Sequence, residues 1–237
     1  MTWFFNNMNN DLKNILKNKK VIFFDIGYTL DYPNSGYWFL TNLFFKYVDN
    51  KNSLENILNA QDECMYILNN NHKMNTFEQE HDAFYSFYYE LSKIANLGFS
   101  EKQIENLVLD HAFNMNNFVP YDESKIVIEK LSKVYELGVI SDNWPSGIVQ
   151  LYNIGIKKYF KTITFSNDLG VFKPNESLYI DAINKMKCKA EDAIFIDDLN
   201  ENLIGANNIG ITPIMICRNK DCESDFIKIN SLNELIN

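Results

Sequence analysis

Histidine and cysteine are scarce. The 237 residues include three histidines and four cysteines, Cys64, Cys188, Cys217 and Cys222, and no two cysteines form a C-x-x-C pair. That excludes the common zinc patterns. It leaves reduced thiols, with Cys217 and Cys222 unpaired, as the simplest expectation for a chain in the cytoplasm. No apolar run approaches the roughly 18 residues that a membrane-spanning helix needs. The opening stretch MTWFFNNMNNDLKNILKNKK has no basic start leading into an apolar run, so no signal peptide is expected. Basic residues are outnumbered, 22 against 31 acidic ones, for a net charge of −9. Nucleic acid and anionic membranes are therefore poor partners.

What is present supports a folded chain. Hydrophobic residues make up 46% and aromatics 14%, enough for a sizeable core. Residues 20–25 read as a buried strand. DESKIVIEKLSKV reads as a helix with Asp122 as its N-cap. Then follow a strand over YELGVIS, a short helix over PSGIVQLYNI, and a strand over KTITFS. A helix over NESLYIDAINKM, a strand over DAIFID, a helix over NENLIGANNIG and a strand over TPIMIC complete the series. Strands separated by helical patterns imply βαβ units and a parallel sheet.

The middle differs. From 35 to 118 only helical periodicity is found. Phe84, Phe87, Tyr88 and Leu91 share one helical face, as do Ile104, Leu107, Val108 and His111. Ser53 reads as a helix cap, and Ser100 with Gln103 as a capping box. An insert of about 90 residues is too long for an ordinary connection and is expected to form its own small domain. Pro33 and Gly36 mark a hinge near 31–36, and Pro120 a second near 118–122.

Four chemistry-bearing positions stand where strands end: Asp25, Ser141, Lys173 in the loop GVFKPNE, and the pair Asp197 and Asp198. In an open parallel sheet, ligands bind beyond the carboxyl ends of the strands. The acids suit Mg²⁺ through oxygen ligands. The lysine and the hydroxyl suit phosphate oxygens. Asp25 suits nucleophilic attack, splitting hydrolysis into two steps. His111 reads as a core histidine, while His72 and His81 are the candidates for a histidine of the insert facing the cleft. The aromatic run FYSFYY reads as core of the insert, with Tyr85 or Tyr89 the candidates to face substrate.

The stretches FFDIGYTL, GVISDN, VFKPN and FIDDLNENLIGANNIGI, in that order, resemble the four motifs of the haloacid dehalogenase (HAD) superfamily. The resemblance covers the whole chain. It implies a Rossmann-like α/β core of three layers around a parallel sheet, built from 1–30 and 119–237, with an all-helical cap over 31–118. It implies Mg²⁺-dependent hydrolysis of a small phosphorylated molecule, with Asp25 as nucleophile. Asp25, the carbonyl of Gly27, Asp197 and Asp198 are the implied metal ligands; Asp198 matches the direct ligand of the fourth motif, and its neighbour Asp197 is the candidate either to take that role or to orient water. Thr29, Ser141, Asn143 through its backbone N–H, and Lys173 are the implied substrate contacts.

Gly27 departs from the pattern. Phosphatases of the superfamily carry a second aspartate there, which protonates the leaving group and then activates water. Dehalogenases and phosphonatases lack it, so three readings stay open: a phosphatase, an enzyme cleaving C–halogen or C–P bonds, and a weakly catalytic binding or regulatory protein. For a phosphatase, leaving groups that need no proton are expected to be favoured. Gly27→Asp is then expected to raise alkyl-phosphate hydrolysis on the order of 10-fold.

Overall fold

A computed structural model describes residues 2–49, 51–218 and 222–236, with side chains from residue 10 onward. The chain opens with helix α1 (Thr2–Lys17), then strand β1 (Val21–Phe24) and a short strand β2 (Asp31–Pro33). Four helices follow: α2 (Asn42–Tyr47), α3 (Leu54–Asn70), α4 (Phe77–Ile94) and α5 (Glu101–Phe113). Strand β3 (Phe118–Pro120) and helix α6 (Ser124–Leu131) lead to β4 (Glu136–Ser141), α7 (Ile148–Ile154) and β5 (Phe160–Phe165). Then come α8 (Ser166–Leu169), α9 (Glu176–Met186), β6 (Ala193–Asp197), α10 (Asn200–Asn208), β7 (Thr212–Ile216) and β8 (Ile227–Ile229).

The main sheet runs β5-β4-β1-β6-β7-β8, with every neighbouring pair parallel. β1 reads as an unbroken apolar run because both its faces are covered. Ile22 and Phe24 pack with α1, α6 and α7 on one face. Val21 and Phe23 pack with α9 and α10 on the other. The order places β1 between β4 and β6, so the ends of these three strands lie side by side.

A separate hydrophobic cluster is made entirely of buried residues between Leu40 and Val108. Phe84, Phe87, Tyr88 and Leu91 are fully buried in it, as their helical spacing requires. The Ser100–Gln103 capping box forms, with both reciprocal bonds present. Ser53 precedes α3 but its side chain makes no cap bond.

The structure adds features that the sequence reading lacks. The two hinges pair as a two-stranded antiparallel ribbon, β2 with β3, so the span 31–118 is not wholly helical. Three-residue strands are too short to show a period, and Pro33 and Pro120, each the last residue of its strand, mimic turn signals. Arg218, the chain's single arginine, holds this region. It donates to the Thr29 carbonyl, pairs with Glu123, and lies 3.6 Å over the Tyr121 ring. Glu123 rather than Asp122 precedes α6, and it caps nothing because its carboxylate serves Arg218.

Cys217 and Cys222 are joined by a disulfide, with 5.8 Å between their Cα atoms, which corrects the expectation that they are unpaired. Cys217 follows β7, and its N–H is bonded to Ile229 of the neighbouring strand, a placement that no cysteine spacing reveals. The bond removes the ground for reading a compartment from reduced thiols. Cys64 and Cys188 are free. Among the described residues, no helix is long and apolar enough to cross a membrane.

Candidate active site

Asp25 leaves β1 with its N–H bonded to the Ile196 carbonyl, 3.0 Å away on β6. This ties the loop after β1 to the strand that carries Asp197. Lys173 arrives from the loop before α9 and lies between the two acids. Its Nζ donates to Asp25 Oδ1 at 2.7 Å and to Asp197 Oδ2 at 2.6 Å, with all three side chains buried. Ser141, at the end of β4, hydrogen-bonds the Asp25 carboxylate. Asp142 accepts the Lys173 backbone N–H at 2.9 Å and so fixes the approach of the lysine loop.

Asp197 and Asp198 occupy different settings. Asp197 Oδ1 accepts from the Leu199 N–H and the Asn202 amide, and Oδ2 from that amide and Lys173. Asp198, one residue on, turns to the cavity, where Asp25, Gly27, Ser141 and Lys173 are also wall residues. The alternation of side chains at a strand end separates the two.

The charges do not balance. Asp25, Asp197 and Asp198 each offer a carboxylate oxygen, and these atoms lie within 4.8 Å of one another. Fully ionised, these three carboxylates would carry more negative charge than the one ammonium, Lys173, balances. Burial, and then the Asp197 charge, push Asp25 up to about 6 against the pull of Lys173. Burial, and then Asp25 and Asp197, push Asp198 up to about 8. The acids draw Lys173 well above its usual value, although burial opposes this. An all-oxygen cluster with excess negative charge suits a hard divalent cation such as Mg²⁺. Repulsion that raises carboxylate pKa values without an ion is relieved when one binds.

Above this floor lies a cavity of about 360 Å³. Its upper wall is aromatic: Tyr28, Trp38, Phe39, Phe118 and Trp144. Tyr28 holds a left-handed backbone, φ 48°, which is costly for a residue with a side chain. Its ring meets Trp38 edge-on at 5.2 Å. Trp38 in turn lies 6.1 Å from Phe118. His111 and Trp144, both wall residues, carry the buried ring nitrogens Nδ1 and Nε1 with no hydrogen-bond partner.

Trp38 explains the glycine at position 27. A Cβ built on Gly27 would lie 2.9 Å from Trp38 Cζ2, closer than real Cβ contacts come, and 3.1 Å from Cη2, tighter than most of them, so the indole would have to shift. Space rather than backbone conformation demands the glycine, because Gly27 is not among the positive-φ residues. The expectation for Gly27→Asp is corrected accordingly. The single substitution should lower the melting temperature and bring no gain on alkyl phosphates. Combined with Trp38→Ala it should bring a gain on the order of 10-fold, below the roughly 10²–10⁴ of a well-supported group. Steady-state rates of the single and double variants check this; an equal gain from the single variant would contradict it.

A family model described as haloacid dehalogenase-like hydrolase matches residues 55–216. The chain belongs to that family. The matched segment contains Ser141, Lys173, Asp197 and Asp198, while Asp25 lies ahead of it. Among solved structures, a 2-haloacid dehalogenase from Pseudomonas syringae pv. Tomato DC3000 superposes with a TM-score of 0.62 at 18% identity, covering 92% of this chain and 96% of that one. A HAD phosphatase from Thermococcus onnurineus superposes with a TM-score of 0.59 at 17% identity, covering 92% and 95%. At such identities the likeness is one of fold. The glyceraldehyde 3-phosphate phosphatase of Methanothermobacter thermautotrophicus is 31% identical over 114 residues, 45% of this chain and 49% of that protein. The chain spans about half the length of the curated relatives it matches.

Within this haloacid dehalogenase-like frame, most motif residues converge and some do not. Asp25, Gly27, Ser141, Asn143, Lys173 and Asp198 line one cavity. Thr29 is fully buried and lies outside the wall. The Asn143 backbone N–H, expected to be offered to substrate, donates instead to Ser166 Oγ at 2.9 Å. Ser166 is also bonded to His72 Nε2 at 2.6 Å, and His72 stacks on Phe172 at 3.8 Å. His72 therefore joins the insert to the core and does not face the cleft. His81 is bonded to Glu105 and lies outside the cavity. His111, read as a core histidine, is buried and also lines the cavity. Tyr85 and Tyr89 are not wall residues.

Glu80, on α4 of the insert, was not legible in the sequence. It is buried and accepts the Ser146 N–H at 2.8 Å and the Ser146 hydroxyl. Burial pushes it up to about 7, against the two Ser146 bonds. The folded state therefore holds a proton that the unfolded chain has lost, and stability falls as pH rises from about 4.5 to about 7. Glu80→Gln should match the parent near pH 4.5 and exceed it at pH 8 by up to roughly 3 kcal/mol. Denaturant melts at the two pH values check this; a constant difference between the proteins across that range would contradict it.

Proposed function

We propose that this chain is a Mg²⁺-dependent phosphatase acting on a small phosphorylated metabolite through an aspartyl-phosphate on Asp25. The observation that carries the reading is the placement of Asp25 at the cavity floor, bonded by Ser141 and Lys173 and beside an acidic pair with an uncompensated charge. Asp25, Asp198 and the Gly27 carbonyl are the groups that would hold Mg²⁺, and Asp197 anchors Lys173 from behind. A bound Mg²⁺ would offset the excess negative charge and draw on the phosphoryl oxygens. Asp25 Oδ forms a bond to phosphorus as the bond from phosphorus to the ester oxygen breaks and the leaving group departs with the electron pair, while Ser141 and Lys173 hold the transferring oxygens by hydrogen bond and charge. Water then cleaves the acyl-phosphate and returns the carboxylate. Curated relatives named for glyceraldehyde 3-phosphate phosphatase activity agree with a small phosphate ester as substrate.

Physical arguments disfavour the other two enzyme readings. Dehalogenation needs no metal ion, and the acidic pair Asp197 and Asp198 beside Asp25 would have no task in it. Schiff-base cleavage of a phosphonate needs a lysine of the insert at the cavity, and among the described residues Lys173 is the one lysine in its wall. The test is hydrolysis of a phosphate-ester panel with Mg²⁺ and with chelator. Turnover should require the ion, and Mg²⁺ should raise the melting temperature. Full hydrolysis in chelator would sink the reading.

A further inference from the structure

We infer that the aromatic wall above Asp25 is a leaving-group subsite for a flat ring, so that the ester this site takes is an aryl phosphate. This rests on the phosphatase reading and deepens it. Two independent observations lead to it.

The first is the shape and chemistry of the wall. Tyr28, Trp38, Phe118 and Trp144 face the same space as Asp25 and Lys173. A cavity of roughly 150 Å³ with apolar walls takes a benzene ring. At about 360 Å³ this one has room for a phosphoryl group as well. Among the described residues, Lys173 is the one cation in the wall, and it is committed to the floor. Other polar wall groups are bonded within the protein, Asn143 to Gln150, Ser146 to Glu80 and Asn202 to Asp197. Beyond the His111 and Trp144 ring nitrogens, a polyhydroxylated or multiply charged leaving group would find little to replace its lost hydration. A ring would gain edge and face contacts. Tyr28 keeps its place at the cost of a left-handed backbone, a kind of strain found most often at functional sites.

The second is the indole over Gly27. The space that would hold an acid beside the leaving oxygen is filled by Trp38. With no acid at that position, a leaving group that can depart with its electron pair and no proton is favoured. A phenol has a pKa of roughly 10, whereas an alcohol lies near water at roughly 16. The balanced sequence is short. Asp25 Oδ forms a bond to phosphorus, and the bond from phosphorus to the aryl oxygen breaks to release phenolate. Water then attacks the acyl-phosphate, giving phosphate and the Asp25 carboxylate. The proton this releases goes to the phenolate.

The ring and the leaving group can be varied separately. Phenyl phosphate has both a ring and a good leaving group. Benzyl phosphate has a ring on a poor leaving group, acetyl phosphate a good leaving group without a ring, and ethyl phosphate neither. With Mg²⁺ present, phenyl phosphate should exceed ethyl phosphate in kcat/KM by roughly 10²-fold or more. Benzyl phosphate should have the lower KM of the two poor substrates, and acetyl phosphate the higher KM of the two good ones. Trp38→Leu should raise KM for phenyl phosphate roughly 2- to 10-fold, the worth of one aromatic pair. Its inhibition by inorganic phosphate should not change, and that is the control for an intact floor. Phenol should quench the tryptophan fluorescence of the parent, since two of its three tryptophans line the cavity.

Equal kcat/KM for ethyl and phenyl phosphates would overturn the proposal. So would KM values indifferent to the ring together with no quenching by phenol. Phenol binding with no hydrolysis of any ester would support the subsite and overturn the phosphatase reading instead.

Discussion

Asp25→Asn should abolish turnover while leaving the protein folded. Asparagine fills the same space but lacks the nucleophilic oxygen and the charge. Removing a nucleophile from a set that acts as a unit costs roughly 10⁴- to 10⁶-fold in rate. The fold should not suffer, because the site already has more negative charge than Lys173 balances. With one carboxylate gone, the repulsion that raises Asp198 is reduced. The variant should therefore melt at or above the parent temperature without Mg²⁺, and should gain less than the parent when Mg²⁺ is added. Single-turnover rates and thermal melts with and without the ion check both parts. Retained turnover above a hundredth of the parent rate would remove Asp25 from the nucleophile's role.

Lys173→Met should cost both activity and stability. The ammonium sits between two buried carboxylates, 2.7 Å from one and 2.6 Å from the other. Removing one partner of a buried ion pair costs roughly 3–5 kcal/mol, because the remaining charge has no compensation. In a chain of this size that corresponds to a fall of about 10 °C in melting temperature. Asp25, already pushed up by burial, can escape the cost by taking up a proton. The loss should therefore be largest at high pH and should shrink as pH falls. Mg²⁺ should recover more stability in this variant than in the parent, because it supplies the charge that the lysine no longer does. An unchanged melting temperature for Lys173→Met at pH 8 would contradict the placement of the lysine.

The floor of the site was legible in the sequence because strands of a covered parallel sheet are unbroken apolar runs. VIFF ends at Asp25, ELGVIS ends at Ser141, and AIFID ends at Asp197. A polar residue at each break must lie at the strand end, and the sheet order brings β4, β1 and β6 together. The choice between Asp197 and Asp198 was not legible. It depends on which neighbour bonds to Lys173 and Asn202, a matter of packing between β6 and α10.

The upper wall was hidden for a different reason. Trp38 and Phe39 lie in an irregular stretch before α2, Phe118 in a three-residue strand, and Trp144 just beyond β4. None has a periodic context, and they converge only when the insert folds back on the core. The glycine at position 27 was plain in the sequence, but its cause lay in Trp38, eleven positions away and across the hinge. Helix α1 escaped notice because Asn-rich sequence masks its period, although Leu12 and Leu16 bury its apolar face. The join between Cys217 and Cys222 depends on the path of the chain after β7, which composition does not encode.

The most direct test is to find the phosphoryl group itself. The protein is mixed with phenyl phosphate and Mg²⁺, quenched in acid during turnover, and digested for peptide mass spectrometry. With no acid or base at position 27, the second step should be the slower one and the intermediate should accumulate. The account predicts a phosphoryl adduct on the peptide holding Asp25, confined to that residue, absent in chelator and absent from Asp25→Asn. Turnover of the ester with no adduct at Asp25, or with the phosphoryl group on Ser141, would contradict it.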